Sequence, residues 1–391
     1  MVIPTVIFIL FLYPSLTSAA SNYNVADFGA IPDGKTDSSA GFLRAWTAAC
    51  GSAGRSTISV PTGKFLIRQP VVFTGSQCKS SGVMILIQGS LVAPSDYRVL
   101  GESTTWLSFQ CVTGVTISGG ILDGQGGSLW TCKNSGKGGC PTGATTLGFT
   151  NSNNIVIDGM TSINSQLYHI VINGCKNVKI QGVKVSASGD SPNTDGIHVQ
   201  FSTGVTILNS RAATGDDCVS VGAGTTGLWI ENFSCGPGHG ISIGSLGKAA
   251  NEPGVKNVTV KTVKFTGTDN GVRIKSWGRP SNGFVTGVLF QHITMADVKN
   301  PIIIDQNYCP DDNGCPQKVS GVKISNVMYQ DIHGSSATEV AVKFDCSSEH
   351  PCTDLRLQDV KLTYKSDQAA LSSCSNADGS SSGFVVPSSC L

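Results

Sequence analysis

Charge is scarce in this chain. Only 14% of its 391 residues are charged, and 27 basic against 26 acidic side chains leave a formal net charge of +1. That balance supplies no global field for nucleic acid or for a strongly charged partner surface. It also excludes a fold built from long surface helices, which would be rich in Glu, Lys and Ala. Long apolar runs are equally few: one stands at the amino terminus, Val2 to Tyr13, and no later segment reaches membrane length. Metal-binding spacings are missing too. There is no CxxC pair and no cluster of His beside the cysteines, which speaks against zinc.

What is abundant is glycine, 47 residues, the composition of short strands joined by many turns. The Val2–Tyr13 run is too short to span a bilayer and leads into Ser18, Ala19 and Ala20. It reads as a cleaved secretory signal over residues 1–20, with a weak n-region that lacks Lys and Arg, leaving residues 21–391 as one mature domain. Cysteine usage agrees with export. Of the 14 Cys, five pairs lie at short range: Cys132 with Cys140, Cys218 with Cys235, Cys309 with Cys315, Cys346 with Cys352, and Cys374 with Cys390. They read as disulfides closing small loops. Cys50, Cys78, Cys111 and Cys175 have no evident pairing. Asn232-Phe-Ser and Asn257-Val-Thr are N-glycosylation sequons in an exported chain.

A repeat fixes the expected architecture. Gly, Asn or Asp followed by apolar-x-apolar recurs as Gly114-Val-Thr-Ile117, Asn154-Ile-Val-Ile157, Asn177-Val-Lys-Ile180, Gly204-Val-Thr-Ile207 and Gly227-Leu-Trp-Ile230. It continues as Asn257-Val-Thr-Val260, Gly287-Val-Leu-Phe290, Gly321-Val-Lys-Ile324 and Asp354-Leu-Arg-Leu357, and a second apolar residue usually follows three positions later. The leading residue is of a type that tolerates a left-handed turn. The alternation after it is a short strand with one face inward. Spacings from about 23 residues upward signal a solenoid, and a propeller blade would need about 40. The expected fold is therefore all-β, a right-handed parallel β-helix. Ser39–Ala53 reads as a helix capping its open amino-terminal end.

Three segments depart from the bland repeat: Ser191-Pro-Asn-Thr-Asp-Gly196, Thr214-Gly-Asp-Asp-Cys218 and Cys235-Gly-Pro-Gly-His-Gly240. Asp195 and Asp216 stand 21 residues apart, and Asp216 and His239 stand 23 apart, each close to one coil. Stacking would align Asp195, the Asp216-Asp217 pair and His239 on one face. Arg273 and Lys275, two apart on a strand, share a side and are expected on the next coil, with Tyr308 near the same edge a coil later. Clustered carboxyls resist joint ionisation, so one keeps a proton to give a leaving oxygen while its neighbours activate water. That division of labour is the chemistry of glycoside hydrolysis. Any one of these motifs alone would be a plain turn, and three carboxylates also suit a calcium ion; the joint spacing favours catalysis. His169, His198, His292, His333 and His350 lack such company and read as structural.

These residues carry a family resemblance. Asn193-Thr-Asp195, Gly215-Asp216-Asp217, Gly238-His239-Gly240 and Arg273-Ile-Lys275, in that order at coil spacing, are similar to the four signature blocks of the plant polygalacturonases. Tyr23-Asn-Val-Ala-Asp-Phe-Gly29 resembles the opening of many pectin-acting β-helix proteins, and the likeness covers nearly the whole mature chain. It implies inverting hydrolysis of α-1,4-galacturonosidic bonds in homogalacturonan, with Asp216 as general acid and Asp195 and Asp217 activating water. It further implies that His239 supports the acid, that Asn193, Arg273, Lys275 and Tyr308 bind substrate, and that no cofactor or metal takes part. The partner it implies is an acidic polysaccharide of the cell wall; the balanced charge and short apolar runs point to no nucleic acid or membrane, and with no sign of an apolar interface the secreted chain is expected to be a monomer. The competing readings are a pectate or pectin lyase, a hydrolase of rhamnogalacturonan or xylogalacturonan, and a non-catalytic polysaccharide-binding β-helix. Endo or exo mode and methyl-ester tolerance depend on loops that the motifs do not describe.

Overall fold

The computed structural model describes residues 21–136, 138–310, 314–365 and 368–391. The expected signal over residues 1–20 lies outside them. The chain winds as a parallel β-helix. Eleven parallel strands, from Val71–Thr74 to Leu371–Ser375, form one sheet, and a larger set of strands forms the rest of the wall. Among the described pairings a single one is antiparallel, Thr363–Tyr364 with Gln368–Ala369 near the carboxyl terminus.

The repeat residues stack in register. Val178, Val205, Leu228, Val258, Val288, Val327 and Leu355 lie one above another, as do Ile180, Ile207, Ile230, Val260, Phe290, Tyr329 and Leu357. All are buried, so each coil contributes two apolar rungs to a continuous core. The residue leading each unit has positive φ at Gly114, Asn154, Asn177, Gly204, Gly227, Asn257, Gly287 and Asp354, the left-handed corner that residue choice implied. Gly321 is the exception. The pairing sets Val288 opposite Val327, so the true unit there is Asn326-Val-Met-Tyr329, with Asn326 at φ 54°. Gly321 is small for another reason: a Cβ there would sit 2.4 Å from the backbone N and O of Ser281. Because the core is a column of rungs, trimming one methylene has a local cost. Ile230→Val should lose about 1 kcal/mol in chemical unfolding with no change in activity.

The capping helix spans Ser39–Gly51, two residues shorter than expected. Phe42, Ala45, Trp46 and Ala49, at helical spacing, are its buried face. Trp46 meets Phe73 and Phe109 at ring-centroid distances of 5.3 and 5.7 Å, closing the end of the core. A second helix, Gly127–Asn134, was not foreseen; it sits in a loop tied by the disulfide of Cys132 with Cys140. The other four short-range disulfides also form as expected. Cys218 bonds Cys235, Cys309 bonds Cys315, Cys346 bonds Cys352, and Cys374 bonds Cys390, closing loops of 6 to 17 residues. Two of the cysteines without an evident partner in the sequence, Cys50 and Cys78, bond each other and pin the end of the capping helix. Cys175 is a free, buried thiol and Cys111 a free, exposed one. Among the described residues no helix is long and apolar enough to cross a membrane.

Candidate active site

The site lies on the outer face of the eleven-strand sheet. Strands Ile197–Gln200, Val219–Val221, Ile241–Leu246 and Asn270–Trp277 are successive coils, and they pair Ile197 with Val219, Val219 with Ile241, and Ile241 with Val272. Those apolar residues point into the core, so the residues between them point out. The column His198, Ser220, Ser242, Arg273 results. Just before the strands, the same 22-residue step sets Asp195 level with Asp217 and His239. The strict register partner of Asp195 is thus Asp217, with Asp216 one place earlier.

Local chemistry holds each group. Asp217 is 2% exposed and fully engaged. Ser242 Oγ donates to its Oδ1 at 2.7 Å, Arg273 Nη2 to Oδ1 at 2.9 Å, and Lys275 Nζ to Oδ2 at 2.9 Å. Arg273 Nε donates to Ser242 Oγ at 2.9 Å, which fixes the guanidinium. Arg273 and Lys275 do share a side, but the structure aims both at Asp217. Burial opposes ionisation of Asp217, yet the Lys275 ammonium and then the Arg273 guanidinium overcome it and hold the carboxyl at about 2. Asp195, 6% exposed, goes the other way. Burial, then the charges of Asp216 and Asp217, push its carboxyl well above the ordinary range. One carboxyl held ionised and one of raised proton affinity therefore sit in adjacent coils.

Asp216 is the most open of the three, its side chain 17% exposed. Asn193 Nδ2 donates to its Oδ2 at 3.2 Å, and the Asp217 N–H donates to its Oδ1 at 2.8 Å. His239 Nδ1 stands 3.1 Å from the same Oδ1. The bond to Asp216 raises the imidazole pKa, against burial and with help from the charges of Asp216 and Asp217. His239 Nε2 faces Asp269 Oδ2 at 3.5 Å, and Lys299 Nζ lies 2.7 Å from Asp269 Oδ1. The glycine after His239 is required. Gly240 has φ 89°, and a Cβ there would lie 2.1 Å from the Asn270 carbonyl oxygen. The disulfide of Cys218 with Cys235 ties the strand after Asp217 to the strand before His239.

Tyr308 pairs with Trp277 and places its ring 5.0 Å from Lys275 Nζ and 5.9 Å from Arg273 Cζ. The sequence-predicted residues Asn193, Asp195, Asp216, Asp217, Lys275 and Tyr308 all line one cleft of about 590 Å³. His239 and Arg273 stand behind it through Asp216 and Asp217. His198, read from the sequence as structural, lies in the cleft as well. Its Nδ1 meets Ser220 Oγ at 2.7 Å, and Tyr168 stacks on its ring with centroids 5.2 Å apart. The signal for it was present, because 198, 220 and 242 repeat the 22-residue step of 195, 217 and 239. Single oxygen and nitrogen atoms of Asp216, Asp217 and His239 come within 4.8 Å of one another. Both oxygens of Asp217 already face cations, however, a poor donor set for a divalent metal.

A parallel β-helix whose outer cleft joins two buried carboxyls of opposite proton affinity to a third, more open one is the framework of a glycoside hydrolase. Comparison with known proteins gives the family. Residues 50–390 match the model of Glycosyl hydrolases family 28, and the chain belongs to that family. It is 63% identical over 382 residues to a polygalacturonase of Prunus persica, covering 98% of this chain and 96% of that one. An exopolygalacturonase of Platanus acerifolia is 42% identical, covering 95% of this chain and 98% of its own. Among solved structures, endo-xylogalacturonan hydrolase from Aspergillus tubingensis superposes with a TM-score of 0.78 at 23% identity, covering 93% of this chain and all of that one, a likeness of fold.

Proposed function

We infer that the chain hydrolyses α-1,4-galacturonosidic bonds in homogalacturonan with inversion, as its resemblance to the polygalacturonases implies. The observation that carries this reading is the unequal carboxyl trio on one cleft floor. Asp216, the member most open to the cleft, is the general acid that protonates the leaving glycosidic oxygen. His239, whose imidazole pKa the bond to Asp216 raises, steadies the carboxylate left once that proton has gone. Asp195 and Asp217, level on adjacent coils, hold and deprotonate the attacking water. Lys275 and Arg273 keep Asp217 ionised for this task, and with Asn193 and Tyr308 they line or support the place where a uronate ring sits. A polymer of uronic acids supplies carboxylates that suit this cationic flank.

On this reading residues 21–391 are the exported catalytic unit and residues 1–20 its cleaved signal. The six disulfides of the described residues support an oxidising destination such as the cell wall. Asn232 and Asn257 are exposed corner residues, open to glycan attachment on the way. The reaction needs no cofactor and no partner besides the polymer. The test is proton NMR of the first products from polygalacturonate. New reducing ends should form in the β configuration before mutarotation, with no unsaturated uronate. Initial α ends would refute inversion, and an unsaturated product would make the enzyme a lyase.

A further inference from the structure

His239 has a second neighbour that the hydrolytic roles leave unused. Its Nδ1 stands 3.1 Å from Asp216 Oδ1, and its Nε2 faces Asp269 Oδ2 at 3.5 Å, so the imidazole lies between two carboxyls. Lys299 Nζ lies 2.7 Å from Asp269 Oδ1, which leaves Oδ2 turned to the imidazole. Asp216, His239, Asp269 and Lys299 stand just before the strands that begin at Val219, Ile241, Asn270 and Asn300, which are successive coils. Backbone bonds hold the stack. The His239 N–H donates to the Asp216 carbonyl at 2.8 Å, the Asp269 N–H to the Gly238 carbonyl at 2.9 Å, and the Lys299 N–H to the Thr268 carbonyl at 3.0 Å. Asn270 Nδ2 donates to the His239 carbonyl at 3.1 Å, and Asn300 Nδ2 to the Asp269 carbonyl at 3.0 Å. Acid and base therefore alternate along the coil axis.

The reaction itself calls for a carboxyl at this place. A general acid works only while it holds its proton, and in that state Asp216 no longer offers His239 a full negative charge. Among the described residues, the charged groups facing His239 are Asp216, Asp217, Asp269 and Arg273. Asp217 is already matched by Lys275 and Arg273, and Arg273 opposes a cationic imidazole. Only Asp269 is an acid with no part in the proton transfers. The charge on the imidazole decides where the proton of Asp216 sits. A protonated ring donates from Nδ1 to Oδ1 and leaves the acidic proton to Oδ2, the oxygen on the Asn193 side. A neutral ring that keeps its proton on Nε2 turns Nδ1 into an acceptor, which draws the Asp216 O–H away from the substrate. We propose that Asp269 is a positioning residue for catalysis, which keeps His239 protonated and donating to Asp216 while Asp216 carries its own proton. The inference rests on the hydrolytic reading above. The His239 and Asp269 side chains are 38% and 43% exposed, so water screens the pair and its effect is modest.

The experiment is an NMR titration of the His239 imidazole in the full chain, its signal assigned by loss in His239→Gln, paired with steady-state kinetics on polygalacturonate. Asp269→Asn keeps the shape of the side chain and removes its charge. The His239 midpoint should fall by about half a pH unit at low salt, and by less at high salt. In the same variant kcat should fall about fivefold with KM unchanged, and the deficit should deepen as pH rises through the His239 midpoint. Asp269→Glu, which keeps the carboxyl, should recover most of the lost kcat. An unmoved His239 midpoint in Asp269→Asn overturns the proposal. So does a raised KM with kcat intact, which would make Asp269 a sugar contact. An equal loss of kcat in Asp269→Glu overturns it too, because shape rather than charge would then set the rate. A wild-type chain whose His239 midpoint depends on Asp269, but which releases no reducing ends from polygalacturonate, would sink the hydrolytic reading and leave the charge coupling standing.

Discussion

Asp216→Asn should reduce turnover of polygalacturonate by about 10²–10⁴-fold while leaving the fold and the affinity for oligomers intact. The variant keeps the size of the side chain and its acceptor for the Asp217 N–H, so the 2.8 Å bond that shapes this turn survives. What it removes is the proton. On the proposed roles, wild-type activity should fall at the acidic end as Asp195, held up by burial and by two neighbouring charges, takes a proton and ceases to activate water. The variant should keep this acidic limb, because Asp195 is unchanged in it. Turnover within threefold of wild type would remove Asp216 from the role of acid, and a changed thermal midpoint would assign it to structure instead.

How much of this was legible in the sequence depends on what each feature requires. The coil was legible because its rungs are periodic: an apolar residue that fails to stack at Val258 or Ile230 would leave a void, so the pattern is enforced locally. Gly321 misled because glycine serves two ends. It permits a left-handed corner, and it permits close approach of backbones; the spacing of Val322 and Ile324 does not tell the two apart. The alignment of Asp195 with His239 followed from loops short enough to keep a 22-residue step. Beyond His239 the step lengthens to 31 residues, from Ile241 to Val272, and what Arg273 and Lys275 would reach was hidden. They were expected to await a substrate carboxylate, and they hold Asp217. Disulfides divide in the same way. Cys309 with Cys315 and Cys346 with Cys352 are 6 residues apart, so the chain itself keeps the thiols close, and nearness in sequence was enough. The bond of Cys50 with Cys78 was hidden, since the helix that delivers Cys50 packs by tertiary contact across 28 residues.

Lys275→Met should destabilise the protein by about 3 kcal/mol at neutral pH and abolish most turnover, because it leaves a carboxylate buried with a single cation. The pair is dry: the Lys275 side chain is 8% exposed and that of Asp217 is 2% exposed, so solvent screening does not erase the interaction. Met matches the apolar stem and isolates the charge. The sign with pH follows from Asp217, whose carboxyl titrates at about 2 in the fold against 3.8 when unperturbed. A depressed carboxyl contributes stability above the unperturbed value and loses it as pH falls through the folded one. In the variant that depression shrinks. The gap between the two proteins in urea unfolding should be widest near pH 7 and should narrow as pH falls from 3.8 towards 2. The same deficit at neutral pH and near the lower end of that range would mean that the lysine stem, rather than its charge, supports the site. A catalytic base that depends on Lys275 for its ionised state predicts one more coupling: the loss of turnover should ease in Lys275→Arg, which restores the charge, and persist in Lys275→Met at every pH where the fold survives.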